Sequence, residues 1–307
     1  LIEQRQEGRE GELGEIIELI DRFAPVDGSH DSAIPGLRLI RASRTSKPVP
    51  AVYEPSLCVI AQGAKTVTVA GESYRYDPST YLVTSVRLPI SSHITSASPE
   101  VPYLSLQLSF EAQQILEVLR IAPLPPEKAP SGARGFSVTK MDPFLLDGVL
   151  RLLRLLAMPQ DIPALSPLHV REILYRVMQG EHGGQIAQFA TAGSHEERVS
   201  AVIRLIGHEY ARPLKAEELA AEAHLSVTSL YEHFARVTGM SPLQYQKRIR
   251  LQEARRLLMS GGYGAAEAGF LVGYESPSHF SREYTRMFGF PPIKDLERLR
   301  KVPDYGC

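Results

Sequence analysis

The sequence predicts a two-domain α+β protein, with an N-terminal β-barrel or sandwich carrying helices and a C-terminal all-α domain. Three observations predict it. Residues 103 to 110 alternate apolar and polar, the spacing turns helical after Glu111, and a helix-turn-helix layout occurs twice in the last hundred or so residues. A chain of 307 residues that is 43% hydrophobic suits two ordinary cores.

In the first half, Gly36 to Phe110 is rich in Val, Thr, Tyr and Leu and punctuated by Pro and Gly, the composition of short strands joined by turns. In the strand Tyr103 to Phe110, Leu104, Leu106, Leu108 and Phe110 alternate with Ser105, Gln107 and Ser109, predicting one buried and one polar face. A hairpin is predicted from Lys65 to Val69 through an Ala70-Gly71 turn and back along Glu72 to Tyr76. Helical spacing then runs to a break at the prolines from Pro123 to Pro130 and resumes over Pro143 to Ala157 and His169 to Gln179. The leucine-rich run Phe144 to Met158 is too short to cross a bilayer and carries Arg151 and Arg154. It is the predicted homodimer surface, with Leu153 and Leu156 as contacts.

Ala192-Gly193-Ser194 offers a break and an N-cap, with Glu196 and Glu197 in the favourable first turn of the next helix. The domains are therefore placed at 1–193, for sensing and dimerisation, and 194–307. In the second, a helix from Ala216 to Ala223, a turn at His224-Leu225 and a helix capped by Ser226 form a first helix-turn-helix unit. Val227, Leu230, Phe234 and Val237 share one face, leaving Thr228, Tyr231, Glu232, Ala235 and Arg236 for another. The layout recurs with a helix from Ala265 to Val272, a turn at Gly273-Tyr274 and a helix from Ser276. There Phe280, Tyr284 and Phe288 are the buried stripe, and Ser278, His279, Ser281, Arg282, Thr285 and Arg286 lie outside it. One such hairpin is weak grounds for nucleic-acid binding, since any αα-hairpin buries one face and wets the other; two in tandem are stronger.

The helix between the units, Pro242 to Met259, carries Lys247, Arg248, Arg250, Arg255 and Arg256 against the single acid Glu253. It spans roughly 25 Å, a length that can set two reading helices about one DNA turn apart, with its cations on phosphates. Whole-chain charge is −1 and points to no polyanion, so any such site is local. Nothing in the polar first residues reads as a signal peptide, and two cysteines, Cys58 and Cys307, form no disulfide framework.

The run GMSPLQYQKRIRLQEARRLLMS, followed by AAEAGFLVGYESPSHFSREYTRMFGFPP, resembles the AraC family of bacterial transcription regulators over about Ser194 to Arg300. The stretch VYEPSLCVIAQGAKTVTVAGESYRYDPSTYLVTS resembles the cupin-like β domain of one AraC subgroup. The resemblance implies a cytoplasmic protein that binds double-stranded DNA, usually activates transcription through RNA polymerase, and often answers to a small-molecule effector. Where the family commonly has Arg, this chain has Glu232, which repels phosphate but accepts from a cytosine amino group. Gly269, inside a helix at a propensity cost of about 1 kcal/mol, is read as a close-packing position.

The competing reading is a cupin enzyme with a DNA-binding tail. Against it, Gly36 to Phe110 holds one histidine, His93, and no His-x-His pair for a metal, and the chain has neither a Gly-x-Ser-x-Gly elbow nor a phosphate-cradling glycine loop. No catalytic residue, metal or cofactor is expected. Cys58 and His93 are the candidate effector-sensing residues, each set beside a plain packing role.

Overall fold

Among the described residues, ten strands form two antiparallel sheets that face one another. The computed structural model describes residues 2–124 and 134–299; Cys307 and most of the proline-rich stretch lie outside them. The six-stranded sheet runs in the order β1 (Gly28–Asp31), β2 (Leu37–Ala42), β9 (Tyr103–Ser109), β4 (Ser56–Gln62), β7 (Thr80–Thr84) and β10 (Phe136–Lys140). The four-stranded sheet is β3 (Val49–Tyr53), β8 (Leu88–Ser96), β5 (Ala64–Val69) and β6 (Glu72–Tyr76). β5 and β6 are the predicted hairpin, and its turn puts Ala70 and Gly71 at φ of 54° and 87°, the left-handed pair that a two-residue turn needs.

β9 lies between β2 and β4, and the four-stranded sheet packed over its second face overturns the predicted polar face. Leu104, Leu106 and Leu108 pack under helices, while Tyr103 joins the core between the sheets. Alternation therefore turns Ser105 and Gln107 inward as well, and they are only 2% and 7% exposed. The Gln107 amide donates to Ser56 Oγ at 3.1 Å, so polarity here is internal.

The helical layer over the six-stranded sheet contains α1 (Ile2–Phe23), α2 (Ala112–Ile121), α3 (Pro143–Arg154), α4 (Ile162–Gln179) and α5 (Gly183–Ala190). The sequence reading did not assign α1, although Leu13, Ile16, Ile17 and Ile20 carry helical spacing and pack into this core. α3 begins at a cap in which Asp142 accepts from Phe144 N and Leu145 N, with Pro143 at its first position. Its two arginines leave the apolar face: Arg154 grips Glu15 of α1 through two bonds of 2.7 and 2.6 Å, and Arg151 reaches Glu172 of α4 at 2.6 Å. Leu153 and Leu156, expected at a dimer surface, are 0% and 8% exposed within this core. The leucine surplus is used by the sheet and by α1 and α4.

Seven helices follow: α6 (His195–Glu209), α7 (Ala216–Glu222), α8 (Val227–Thr238), α9 (Pro242–Met259), α10 (Ala265–Leu271), α11 (Pro277–Phe288) and α12 (Pro292–Leu299). Ser194 caps α6 by accepting from Glu197 N at 3.0 Å. One apolar core lies under α6 to α9 and takes in Val86 and the flanking Val52 from the β-rich part and Phe189 from α5. A second holds α9 to α12 together and contains no buried residue from the strands. Among the described residues no helix is long and apolar enough to cross a membrane.

Candidate nucleic-acid interface

Both predicted units have formed. α7 and α8 meet at a turn where His224 takes a left-handed φ of 51°, and α10 and α11 meet at Gly273, with φ of 91°. Ser226 and Ser276 cap α8 and α11 by accepting from Ser229 N and His279 N, and each helix ends at a left-handed glycine, Gly239 or Gly289. A Cβ at Gly269 would meet the Phe280 ring at 2.9 Å, so glycine there allows the close approach of α10 to α11.

Leu230, Phe234 and Val237 are the buried stripe of α8, but Val227 is exposed at the first turn, outside the core. On the outer face Thr228, Glu232 and Arg236 are exposed and Tyr231 is half-buried. His233, next to that face, stacks on His195 of α6 with centroids 4.0 Å apart. Burial first, then the His195 ring and the Arg236 guanidinium, lower its pKa. On α11, Phe280, Tyr284 and Phe288 are buried, while Ser278, His279, Arg282 and Arg286 are exposed and Ser281 is half-buried. Arg286 is tied to Glu283 at 2.9 Å; no ion pair to Arg282 occurs among the described residues.

The basic helix is less basic than its sequence. Arg250 is turned inward: Nε donates to Tyr210 O at 2.6 Å, Nη1 to Gly273 O at 3.0 Å, and Nη2 to Ala211 O and Arg212 O at 3.1 and 3.0 Å. Burial lowers its pKa. Arg255 is 7% exposed, bonded to the fully buried Asp295 at 2.9 and 3.3 Å and stacked over Phe288, with Tyr284 OH donating to the same carboxylate at 3.0 Å. Arg256 is held by Glu253 at 2.8 Å. The phosphate role expected for Arg250 and Arg255 is thus replaced by a structural one. Lys247 and Arg248 stay exposed, although Lys247 also reaches Glu283 at 2.5 Å and, as the leading cause, lowers that carboxyl's pKa.

The two sensing candidates are not brought together. Cys58 is 3% exposed in the core between the sheets, while His93 lies on β8 out of step with the inward Leu88, Ile90 and Ile94 and so faces outward. What the sequence reading missed is a cavity of about 480 Å³ between the β-rich half and α6. Val86, Phe110, Ile115, Ile186, Phe189 and Ile203 give it an apolar wall, and Glu54, Arg87, Arg204 and His208 border it. Burial raises the Glu54 pKa against the lowering effect of Arg87. These residues come from five separate stretches of chain, and no local spacing marks them.

The comparisons follow the same division. A family model described as the AraC-type transcriptional regulator N-terminus matches residues 33–185, and one described as a helix-turn-helix domain matches 219–298, together about three quarters of the chain. Among curated proteins, the chain is 28% identical over 131 residues to the HTH-type transcriptional activator RhaS of Klebsiella pneumoniae, 42% of this chain and 46% of that one. It is 26% identical over 174 residues to the virulence regulon transcriptional activator VirF of Yersinia enterocolitica, 55% of this chain and 61% of that one. The matches thus span about half the length of these relatives. Among solved structures, unsaturated fatty acid bound ToxT from Vibrio cholerae superposes with a TM-score of 0.56 at 13% identity, over 87% of this chain and 97% of that one, which shows a shared fold. On these matches, with both helix-turn-helix units in place, the chain belongs to the AraC family of transcription regulators.

Proposed function

We propose that this protein is a sequence-specific regulator of transcription that lays α8 and α11 into two successive major-groove segments of duplex DNA, about one turn apart. The observation that carries this reading is the pair of helix-turn-helix units, in which the second helix is capped at both ends and keeps a polar face outside the core. Base edges are read by Thr228, Tyr231 and Glu232 on α8 and by Ser278, His279, Ser281 and Arg282 on α11. Arg236, Lys247, Arg248 and Arg286 meet phosphate. Activation is the mode supported by the names of RhaS and VirF, and an activator of this kind would have RNA polymerase as its partner.

Residues 1–193 serve as the sensing and dimerising part and 194–307 as the DNA-binding part of a cytoplasmic, non-enzymatic protein. Exposed Ile121 and Leu168, beside a groove between α2 and α4, are a better-supported dimer surface than Leu153 and Leu156. The effector occupies the cavity between the β-rich half and α6. Its size lies within the range of small-molecule sites, and the fatty acid bound by ToxT is a ligand of the kind that such an apolar wall suits. Among the described residues no cluster of His, Cys, Asp and Glu offers the metal site that the cupin-enzyme alternative needs.

The test is binding of the full chain to duplex DNA as salt is raised. Each neutralised phosphate contributes a slope of about −0.9 to log K against log salt, so four contacts give about −3.6. Binding that ignores salt, or no binding to any sequence in a random pool, contradicts the proposal.

A further inference from the structure

The cavity and the linker helix share one side chain. Arg87 lies between β7 and β8, borders the cavity, and sends its guanidinium in two directions: Nε to Glu54 and Nη2 to Glu253 of α9, each at 2.9 Å. Its own carbonyl accepts from Tyr245 OH, also of α9, at 2.8 Å. The guanidinium crosses α6 at Gly207, where a Cβ would stand 3.1 Å from Nη1. Glu253 is outside the cavity wall. The Arg87 and Glu253 side chains are 23% and 15% exposed, so water and salt screen this pair less than an open surface pair.

The grip of the first half of the chain falls on the first helix-turn-helix unit. Gly135 N donates to Val237 O at the last turn of α8, and Gly239 just beyond lies against Ala70 of the β5–β6 turn. The core of that unit includes Val86 and Phe189, which are also cavity wall. The core of the second unit contains no buried residue from the first half of the chain. β3 touches α9 and α11 alike, but the buried contacts that a change in the cavity would disturb fall on the first unit.

The charges bordering the cavity favour an anion. Arg87 is shared between Glu54 and Glu253, and Glu111 closes the capping box of α2. Among the described residues Arg204 pairs with Glu197 alone, at 3.8 Å. At that distance Arg204 keeps donors for an anion. An amine entering the site would find Glu54 and leave the bond to Glu253 standing, whereas a carboxylate competes with Glu253 for the same guanidinium.

We infer that Arg87 is an ion-pair relay: an anionic head group on an apolar body, seated in the cavity, draws Arg87 off Glu253 and releases α9 and the end of α8. This rests on the effector reading of the cavity. It is tested by hydrogen exchange on the full chain, with decanoate, decanol and decylamine as probes and their binding followed by calorimetry. Glu253→Gln leaves the cavity wall intact. In that variant exchange over 242–259 should be at least threefold faster than wild type without any probe, with β2 and β9 unchanged. Decanoate should produce the same acceleration in wild type, add nothing in Glu253→Gln although it still binds, and decanol and decylamine should be silent. The relay is overturned if Glu253→Gln exchanges like wild type, if exchange rises equally over the whole chain, or if decanoate accelerates both proteins alike. No decanoate binding to wild type also overturns it, through the cavity reading; the probe-free Glu253→Gln result then tells that failure apart from the lack of an ion-pair restraint.

Discussion

Replacing Arg250 by Ala separates the two roles that its sequence position allows. The guanidinium serves four carbonyls, those of Tyr210, Ala211, Arg212 and Gly273, and so staples the end of α6 to the turn of the second unit. Two of the four keep a second donor, since Gln246 Nε2 reaches Tyr210 O and Arg212 O at 3.0 and 2.7 Å. The loss falls on Ala211 O and Gly273 O. Hydrogen bonds to a charged group are worth about 1.5–3 kcal/mol each, and exposed Ala211 regains water, so Arg250→Ala should cost about 2–4 kcal/mol. The assay is urea unfolding of the full chain beside the salt dependence of DNA binding, with Arg248→Ala as the comparison. Arg248→Ala should unfold within about 0.5 kcal/mol of wild type and lower the salt slope by about one. If Arg250→Ala unfolds like wild type and takes one contact from the salt slope, Arg250 is on phosphate and the staple is refuted.

Arg282→Ala should leave the melting temperature unchanged and cost about 1–3 kcal/mol of DNA affinity at one base position; equal weakening of all sequences would place it on phosphate, and unchanged binding would take α11 off the DNA. Asp295→Ala strands the buried Arg255 and leaves Tyr284 OH without its acceptor, so about 3–5 kcal/mol of stability should go, read by urea unfolding; a loss under about 1 kcal/mol would show that the pair is dispensable. Glu283, with its pKa lowered by Lys247, contributes stability that is present above the ordinary carboxylate range and lost as pH falls through its depressed folded value. The stability gap between wild type and Glu283→Gln should therefore shrink on acidification from pH 7 into that range, and a gap independent of pH would contradict the assignment.

Local rules made the helix-turn-helix units legible. Caps at Ser194 and Ser226 and the Phe280, Tyr284 and Phe288 stripe are each decided within a few residues, and the structure keeps them. What failed depends on partners far away in sequence. Ser105 and Gln107 look like a solvent face until the four-stranded sheet packs over β9, and Leu153 and Leu156 look like surplus until α1 is present. Arg250 and Arg255 read as charge because their acceptors, Tyr210 O and Asp295, are 40 residues away. The cavity and the Arg87 to Glu253 bond, 166 residues apart, leave no periodicity to find.

The most direct test of the central claim is selection of duplexes bound by the full chain from a random pool. Two helix-turn-helix units on one linker helix predict a site with two conserved blocks whose centres are about 10–10.5 base pairs apart, one for α8 and one for α11. A site of one block only, or no enrichment over the starting pool, would contradict it.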